Sequence, residues 1–233
     1  MGANGPIFNM EKLTMYRAQF ELIGEMPLLM HWDNIDGSDT LKKWRQNSAN
    51  KNQSVPGDDR SPPWTWQTYC YNDGENITIP QDNIMAALMS GGAQIILKKQ
   101  KTFKELSQSG ILIETEHCRF EYGDPFRQLT VKQLAAMKDA TFAKQADECV
   151  KLGFRLFAKR AKIGTAKHVR IRPRFDKWRV SGTLQVMSPD ITLEKLEAIF
   201  QFAGRAGLCD WRPSSPKRPG PYGMFTSTVK QIK

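Results

Sequence analysis

The residues of this chain that could carry chemistry fall into three groups: a histidine beside carboxylates, a run of cations, and a late loop that mixes aromatics with arginine and lysine. His31 is followed by Asp33 and Asp36, with Lys42 and Lys43 further on. A base that takes the 2′-hydroxyl proton and a cation facing the pentacoordinate phosphate are what metal-independent RNA cleavage needs. His31, Asp33 and Asp36 are therefore the candidate catalytic residues, although the same spacing also reads as a hydrogen-bonded histidine beside a solvated turn. The second group is far more pronounced. Between Lys151 and Arg179 stand eleven cations, among them Lys159, Arg160, Lys162, Lys167, Arg170, Arg172 and Arg174, against the single acid Asp176. That surplus equals the net charge of the whole chain, +10. His168 lies among the cations, and Phe175 and Trp178 close the run. Point charges interleaved with flat rings suit a phosphate backbone and stacked bases.

The third group is the Gly- and Pro-rich stretch from Gly204 to Gly223. It holds Arg205, Arg212, Lys217 and Arg218 beside Trp211 and Tyr222. Guanidinium and ammonium groups bind phosphates, the rings offer faces for bases, and the glycines let backbone N–H groups come close to an oxyanion. A proline-stiffened hairpin with Trp211 plugging the core would show the same composition. The nucleic-acid reading needs the central cations and this loop on a common side of one sheet.

Other chemistries find no support in motif or spacing. There is no phosphate-binding Gly-rich loop with lysine, no dinucleotide fingerprint and no H-E-x-x-H. Cys70, Cys118, Cys149 and Cys209 are widely spread, with no C-x-x-C pair and no zinc spacing, so buried reduced thiols are expected. No metal or cofactor is expected. With 233 residues, 40 % hydrophobic and 25 % charged, the chain reads as an ordinary globular domain. No apolar run approaches a membrane span and the N-terminus lacks signal-peptide regions, so a cytoplasmic protein with no membrane partner is expected.

The elements that must position these groups are partly legible. Tyr16, Ala18, Phe20 and Leu22 alternate with Arg17, Gln19 and Glu21, the period of a half-buried strand. Trp178, Val180, Gly182, Leu184 and Val186 alternate in the same way, as do Phe225, Ser227 and Val229. Ile84, Met85, Leu88 and Met89 mark a helix entered near Asp82. Leu193, Leu196, Ile199, Phe200 and Ala203 mark another, capped by Thr192 or Asp190. A short helix is expected over 40–50, and a strand over 64–71 turning at Asp73-Gly74 into Ile77-Thr78-Ile79. Residues 110–113 and 118–122 suit strands, and 130–148 one or two helices. A single domain over 1–233 is expected, with a flexible insertion at 34–63 and a second insertion, helical and basic, at 95–170. Strand, helix, strands, helix, strand predicts an α+β fold of ferredoxin-like or RNA-recognition-motif order, an antiparallel sheet with helices on one face.

Two stretches in that order resemble a known family. Ile77-Thr78-Ile79-Pro80-Gln81-Asp82-Asn83-Ile84-Met85-Ala86-Ala87-Leu88 is similar to the I-P-G-S-S-L-K-G-A-L strand-to-helix junction of the repeat-associated mysterious proteins, the RAMP superfamily that builds CRISPR effector complexes. The stretch from Gly204 to Phe225 resembles the Gly-rich loop before that family's last strand. The resemblance implies a backbone-type subunit of an antiviral ribonucleoprotein. Such a subunit binds single-stranded guide RNA on a modified RNA-recognition fold and assembles side by side with copies of itself and other subunits. It also admits an endoribonuclease of the same superfamily. The layout is shared with short proteins of phages and mobile elements, which leaves open a single-stranded DNA-binding or annealing protein.

Overall fold

The computed structural model describes residues 16–98, 101–163 and 166–232, with the side chains of 162, 163, 166 and 167 outside that description. The chain is mixed α+β and its main sheets are antiparallel. Strand β1 (Tyr16–Gly24) lies between β10 (Trp178–Val186) and β11 (Phe225–Ile232). On its far side β10 pairs with β6 (Ile111–Ile113) and β7 (His117–Tyr122), and β7 pairs with β3 (Thr78–Pro80) at the edge. The registers are set by the alternations in the sequence. Phe20 faces Gly182 across the β1–β10 ladder and Val229 across the β1–β11 ladder, and Leu22 faces Val180, so one sheet face has an apolar centre.

Helices α2 (Gln81–Gly92) and α6 (Leu193–Ala206) cover that face. Thr192 caps α6 by accepting from the Lys195 N–H, and Leu196, Ile199, Phe200 and Ala203 are buried against the sheet. Helix α2 has no side-chain cap, and Asp82 instead lies in its first turn. The two helices cross so closely that a Cβ on Gly91 would sit 2.2 Å from the Ile199 carbonyl oxygen. Nothing larger than glycine fits there.

The opposite face of the sheet is open and polar, carrying Gln19, Glu21, Arg119, Glu121, Arg179, Ser181, Thr228 and Lys230. Its charges neutralise one another: Arg179 bonds Glu121 at 2.7 Å and reaches Glu21 at 3.6 Å, Arg119 bonds Glu121 at 3.0 Å, and Arg17 bonds Glu114 at 2.8 Å.

Several expectations need revising. Residues 65–69 are a 3-10 helix, not a strand. Pro62 and Pro63 precede it, and the Thr65 and Thr68 hydroxyls each donate to the carbonyl three residues back, which holds the turn. Residues 111–122, expected inside an insertion, supply β6 and β7 of the main sheet. The excursion from the sheet therefore runs from Gly123 to Lys177. It contains the small helices α4 (Val131–Ala135) and α5 (Phe142–Lys151) and the ribbon β8 (Arg155–Ile163) and β9 (Ala166–Phe175). The ribbon is extended by the two-residue strand β2 (Leu28–Leu29) into a second, three-stranded sheet. Segment 34–63 carries helix α1 (Ile35–Gln46), capped by Asn34, and is tied to β9 where the Asp59 N–H donates to the Val169 carbonyl and the Val169 N–H to the Gly57 carbonyl. A small hairpin, β4 (Ile96–Lys98) and β5 (Lys101–Thr102), precedes α3 (Phe103–Gly110). Among the described residues no helix is long and apolar enough to cross a membrane.

Candidate nucleic-acid interface

The basic run is a β-ribbon, and its register sorts the cations by face. Directly opposed residues of an antiparallel pair share a side of the sheet. Arg155 faces Arg174, Phe157 faces Arg172, Lys159 faces Arg170 and Ala161 faces His168. These eight therefore form one face. Leu156, Ala158 and Arg160 form the other, with Pro173, Ile171 and Val169. Rows of like charges this close are unfavourable unless something neutralises them.

Three aspartates supply that neutralisation at the base of the ribbon. Arg170 bonds Asp59 at 3.0 Å, and Asp59 is nearly inaccessible, with 3 % of its side chain exposed. Its other carboxylate oxygen accepts the Ile171 N–H at 3.1 Å. Arg172 pairs with Asp210, and Asp176 accepts from Arg174 at 2.7 Å and also from Arg155. The cations beside it hold the Asp176 carboxyl below the usual carboxylate range, although burial acts against them. Arg170, Arg172 and Arg174, expected at phosphates, are thus half-buried members of internal ion pairs. Lys159, Arg160, Lys217 and Arg218 are exposed and join no salt bridge among the described residues. Lys162 and Lys167 oppose each other near the ribbon tip, and their side chains lie outside the described residues.

The loop before β11 folds back onto the first face of the ribbon. Phe157, Trp211 and Tyr222 form an aromatic triad, with ring centroids 6.1, 5.6 and 5.4 Å apart for the pairs Phe157–Trp211, Phe157–Tyr222 and Trp211–Tyr222. The Lys159 ammonium sits over the indole of Trp211, 3.1 Å from its centroid. Beneath, Gly220 approaches Trp211 so closely that a Cβ would lie 2.4 Å from the indole. Cys209 and Trp211 both adopt left-handed backbone, φ 62° and 49°. Non-glycine residues there cost on the order of 1 kcal/mol or more and tend to mark loops whose geometry serves a site. The Arg172–Asp210 pair, one residue from Trp211, fastens loop to ribbon.

The central cations and the late loop therefore do come together, but on the small second sheet. Bases stacked on the main sheet would need aromatics on its open face. Among the described residues no Phe, Tyr or Trp projects there from its strands, and Phe126 of the following loop packs against Arg179 at 4.8 Å. Trp178 is a core residue: it has no exposed surface and its indole N–H donates to the Met26 carbonyl at 2.9 Å. Its own alternation with Val180 and Leu184 already placed it on the apolar face. Arg205 and Arg212 leave the triad and line a cleft between α2 and α6. Phe157 belongs to the site and is absent from the sequence-based set, although its period-2 spacing from Arg155 and Lys159 puts all three on one face.

His31 lies just past β2, its ring edge-on to Tyr69 at 4.5 Å. Burial, and then the neighbouring Arg172, hold its imidazole below the ordinary histidine value. Burial and Asp59 push the Tyr69 hydroxyl up to about 12. The two arginines that act on His31, Arg170 and Arg172, are committed to Asp59 and Asp210. Asp33 and Asp36 are exposed at the start of α1. His168 packs over Gly57, where a Cβ would meet its Nδ1 at 2.4 Å, and that nitrogen is buried without a hydrogen-bond partner among the described residues. The four cysteines are buried and unpaired, and burial raises each thiol. Among the described residues no three His, Cys, Asp or Glu side chains gather as a metal site.

No family model matches the chain, and a search of curated proteins finds no match either.

Proposed function

We propose that the protein is a single-stranded nucleic-acid-binding subunit, RNA being the preferred strand, that carries its ligand along the ribbon β8–β9 and the loop before β11. The observation that carries this reading is the triad Phe157, Trp211 and Tyr222, flanked by Lys159 on the same face of the ribbon and by Lys217 and Arg218 of the loop, cations that join no salt bridge among the described residues, with Arg160 on the ribbon's other face. Aromatic faces bind bases of any sequence and the cations track phosphates. In the free protein Lys159 occupies the Trp211 face. An exposed cation–π contact is worth about 0.5–1 kcal/mol, whereas stacking a base contributes about 1–3 kcal/mol. A base therefore displaces the ammonium, which is then free to meet the adjoining phosphate.

The strand order supports a ferredoxin-like, RNA-recognition-type reading of the α+β fold. Taking β1, α2, β7, β10, α6 and β11 in chain order, the fourth strand lies beside the first and the third beside both the first and the second. That order supports the RAMP-type reading. The protein would then act as a repeating subunit of a guide-RNA ribonucleoprotein, with the basic ribbon as its RNA-contacting projection.

The test is fluorescence anisotropy with 15-nucleotide oligouridylate and oligothymidylate at 50 mM salt. Wild-type protein should bind the RNA saturably, and Trp211→Ala should weaken binding by roughly 5- to 150-fold, the equivalent of about 1–3 kcal/mol. Equal affinity for the two strands would favour the DNA-annealing alternative, because the 2′-hydroxyl is what separates them. If wild-type protein fails to bind either strand, the reading is lost.

A further inference from the structure

The helical layer carries a second site that the proposed strand path does not use. A cleft of about 720 Å3 opens between the C-terminal halves of α2 and α6 and the start of α3. Its floor is Ala86, Met89, Phe202 and Ala206, and its rim carries Lys104, Arg205 and Arg212. Among the described residues no Asp or Glu lines it. None of the three cations takes part in a salt bridge among the described residues. The ends of α2 and α6 place helix C-termini here, each equivalent to about half a negative charge, which offsets about one of the three positive charges. The rim stays positive above a floor that is mostly aliphatic.

We infer that this cleft receives an acidic amphipathic segment of a partner protein, its apolar side chains on Met89, Phe202 and the alanines and its carboxylates at Lys104, Arg205 and Arg212. A helix laid into such a groove reads as apolar anchors three and four residues apart. The small residues Ala86, Ala93 and Ala206 let a second backbone come close. A nucleotide fits less well. Phe202 is the one aromatic ring of the lining, and the Arg205 guanidinium already stands 5.6 Å from its centre. Of the lining's neutral polar side chains, Ser90 already donates to the Ala86 carbonyl and Ser214 accepts from Arg212, which leaves Gln94 as the main group for a base edge. The loop thus divides its work, with Trp211 turned to the ribbon and Arg212 to the cleft.

The experiment is a selection of random 12-residue displayed peptides on the immobilised full chain. Peptides synthesised from the winning sequences are then titrated against the wild type and against two separate variants, Arg205→Glu and Lys104→Glu. The enriched sequences should carry Asp or Glu around Leu, Met or Phe at helical spacing, and each variant should weaken their binding at least tenfold. Oligouridylate affinity should stay within twofold of wild type in both variants, so failure of the cleft is separable from failure of the strand-binding reading. The inference is overturned if no sequence is enriched, or if the winners are not acidic. It is equally overturned if both folded variants bind the winners as wild type does, or if oligouridylate displaces them, which would make the cleft part of the nucleic-acid path.

Discussion

Removing the Arg170 side chain should cost stability and leave nucleic-acid affinity almost untouched. Asp59, its partner at 3.0 Å, keeps 3 % of its side-chain surface, against 28 % for Arg170. After truncation the carboxylate would retain the Ile171 N–H but stay buried without its cation. Breaking a buried pair by removing one partner costs about 3–5 kcal/mol, and water reaching the partly exposed arginine site lowers this to about 2–3 kcal/mol. In a chain of this length each kcal/mol moves the midpoint by about 2–4 °C, so Arg170→Ala should lower Tm by roughly 4–12 °C. Thermal unfolding by circular dichroism measures the loss, and oligouridylate anisotropy well below Tm measures affinity. Arg170→Met with Asp59→Asn should recover much of the stability, because no charge is then stranded. If Arg170→Ala keeps its Tm and loses tenfold or more in RNA affinity, the arginine is a phosphate ligand, and the division of the ribbon into paired and unpaired cations is wrong.

Lys159→Ala should lower Tm by only about 1–4 °C, the loss of one exposed cation–π contact, and reduce the slope of log affinity against log salt by about 0.7, one released counterion on a single strand, in titrations from 50 to 300 mM salt. Trp178→Ala should cost about 3–5 kcal/mol in urea unfolding, the usual penalty for emptying a fully buried aromatic site, and binding should weaken only as unfolding sets in. Weakened binding at unchanged stability would return Trp178 to the interface. His31 supplies a pH prediction. Its folded pKa lies below the unfolded value, so the unfolded chain binds the extra proton first and stability rises with pH across that window. Unfolding free energy should therefore be flat with respect to this group above about pH 7 and fall as pH drops below about 6.5, the ordinary histidine value. In His31→Gln that part of the slope should disappear.

The two long central strands and α6 were legible because alternation and a 3.6-residue stripe are local consequences of having one buried face. Tyr16–Gly24, Trp178–Val186 and Leu193–Ala206 form as their patterns predict. The strand expected over 64–71 was misread because Trp64, Trp66 and Tyr71 suggest a strand by type, whereas the adjacent Thr65 and Trp66 are both without exposed surface, which a half-buried strand with its two alternating faces does not give.

The sequence alone determined that a concentrated block of cations and an aromatic, proline-stiffened loop exist, and which side chains of each strand share a face. Only the tertiary structure decided which cations remain available. Arg170 meets Asp59 across 111 positions and Arg172 meets Asp210 across 38. Periodicity reports the side of a strand on which a residue stands. It carries no information about which distant segment covers that side, and coverage is what separates a neutralised arginine from a free one.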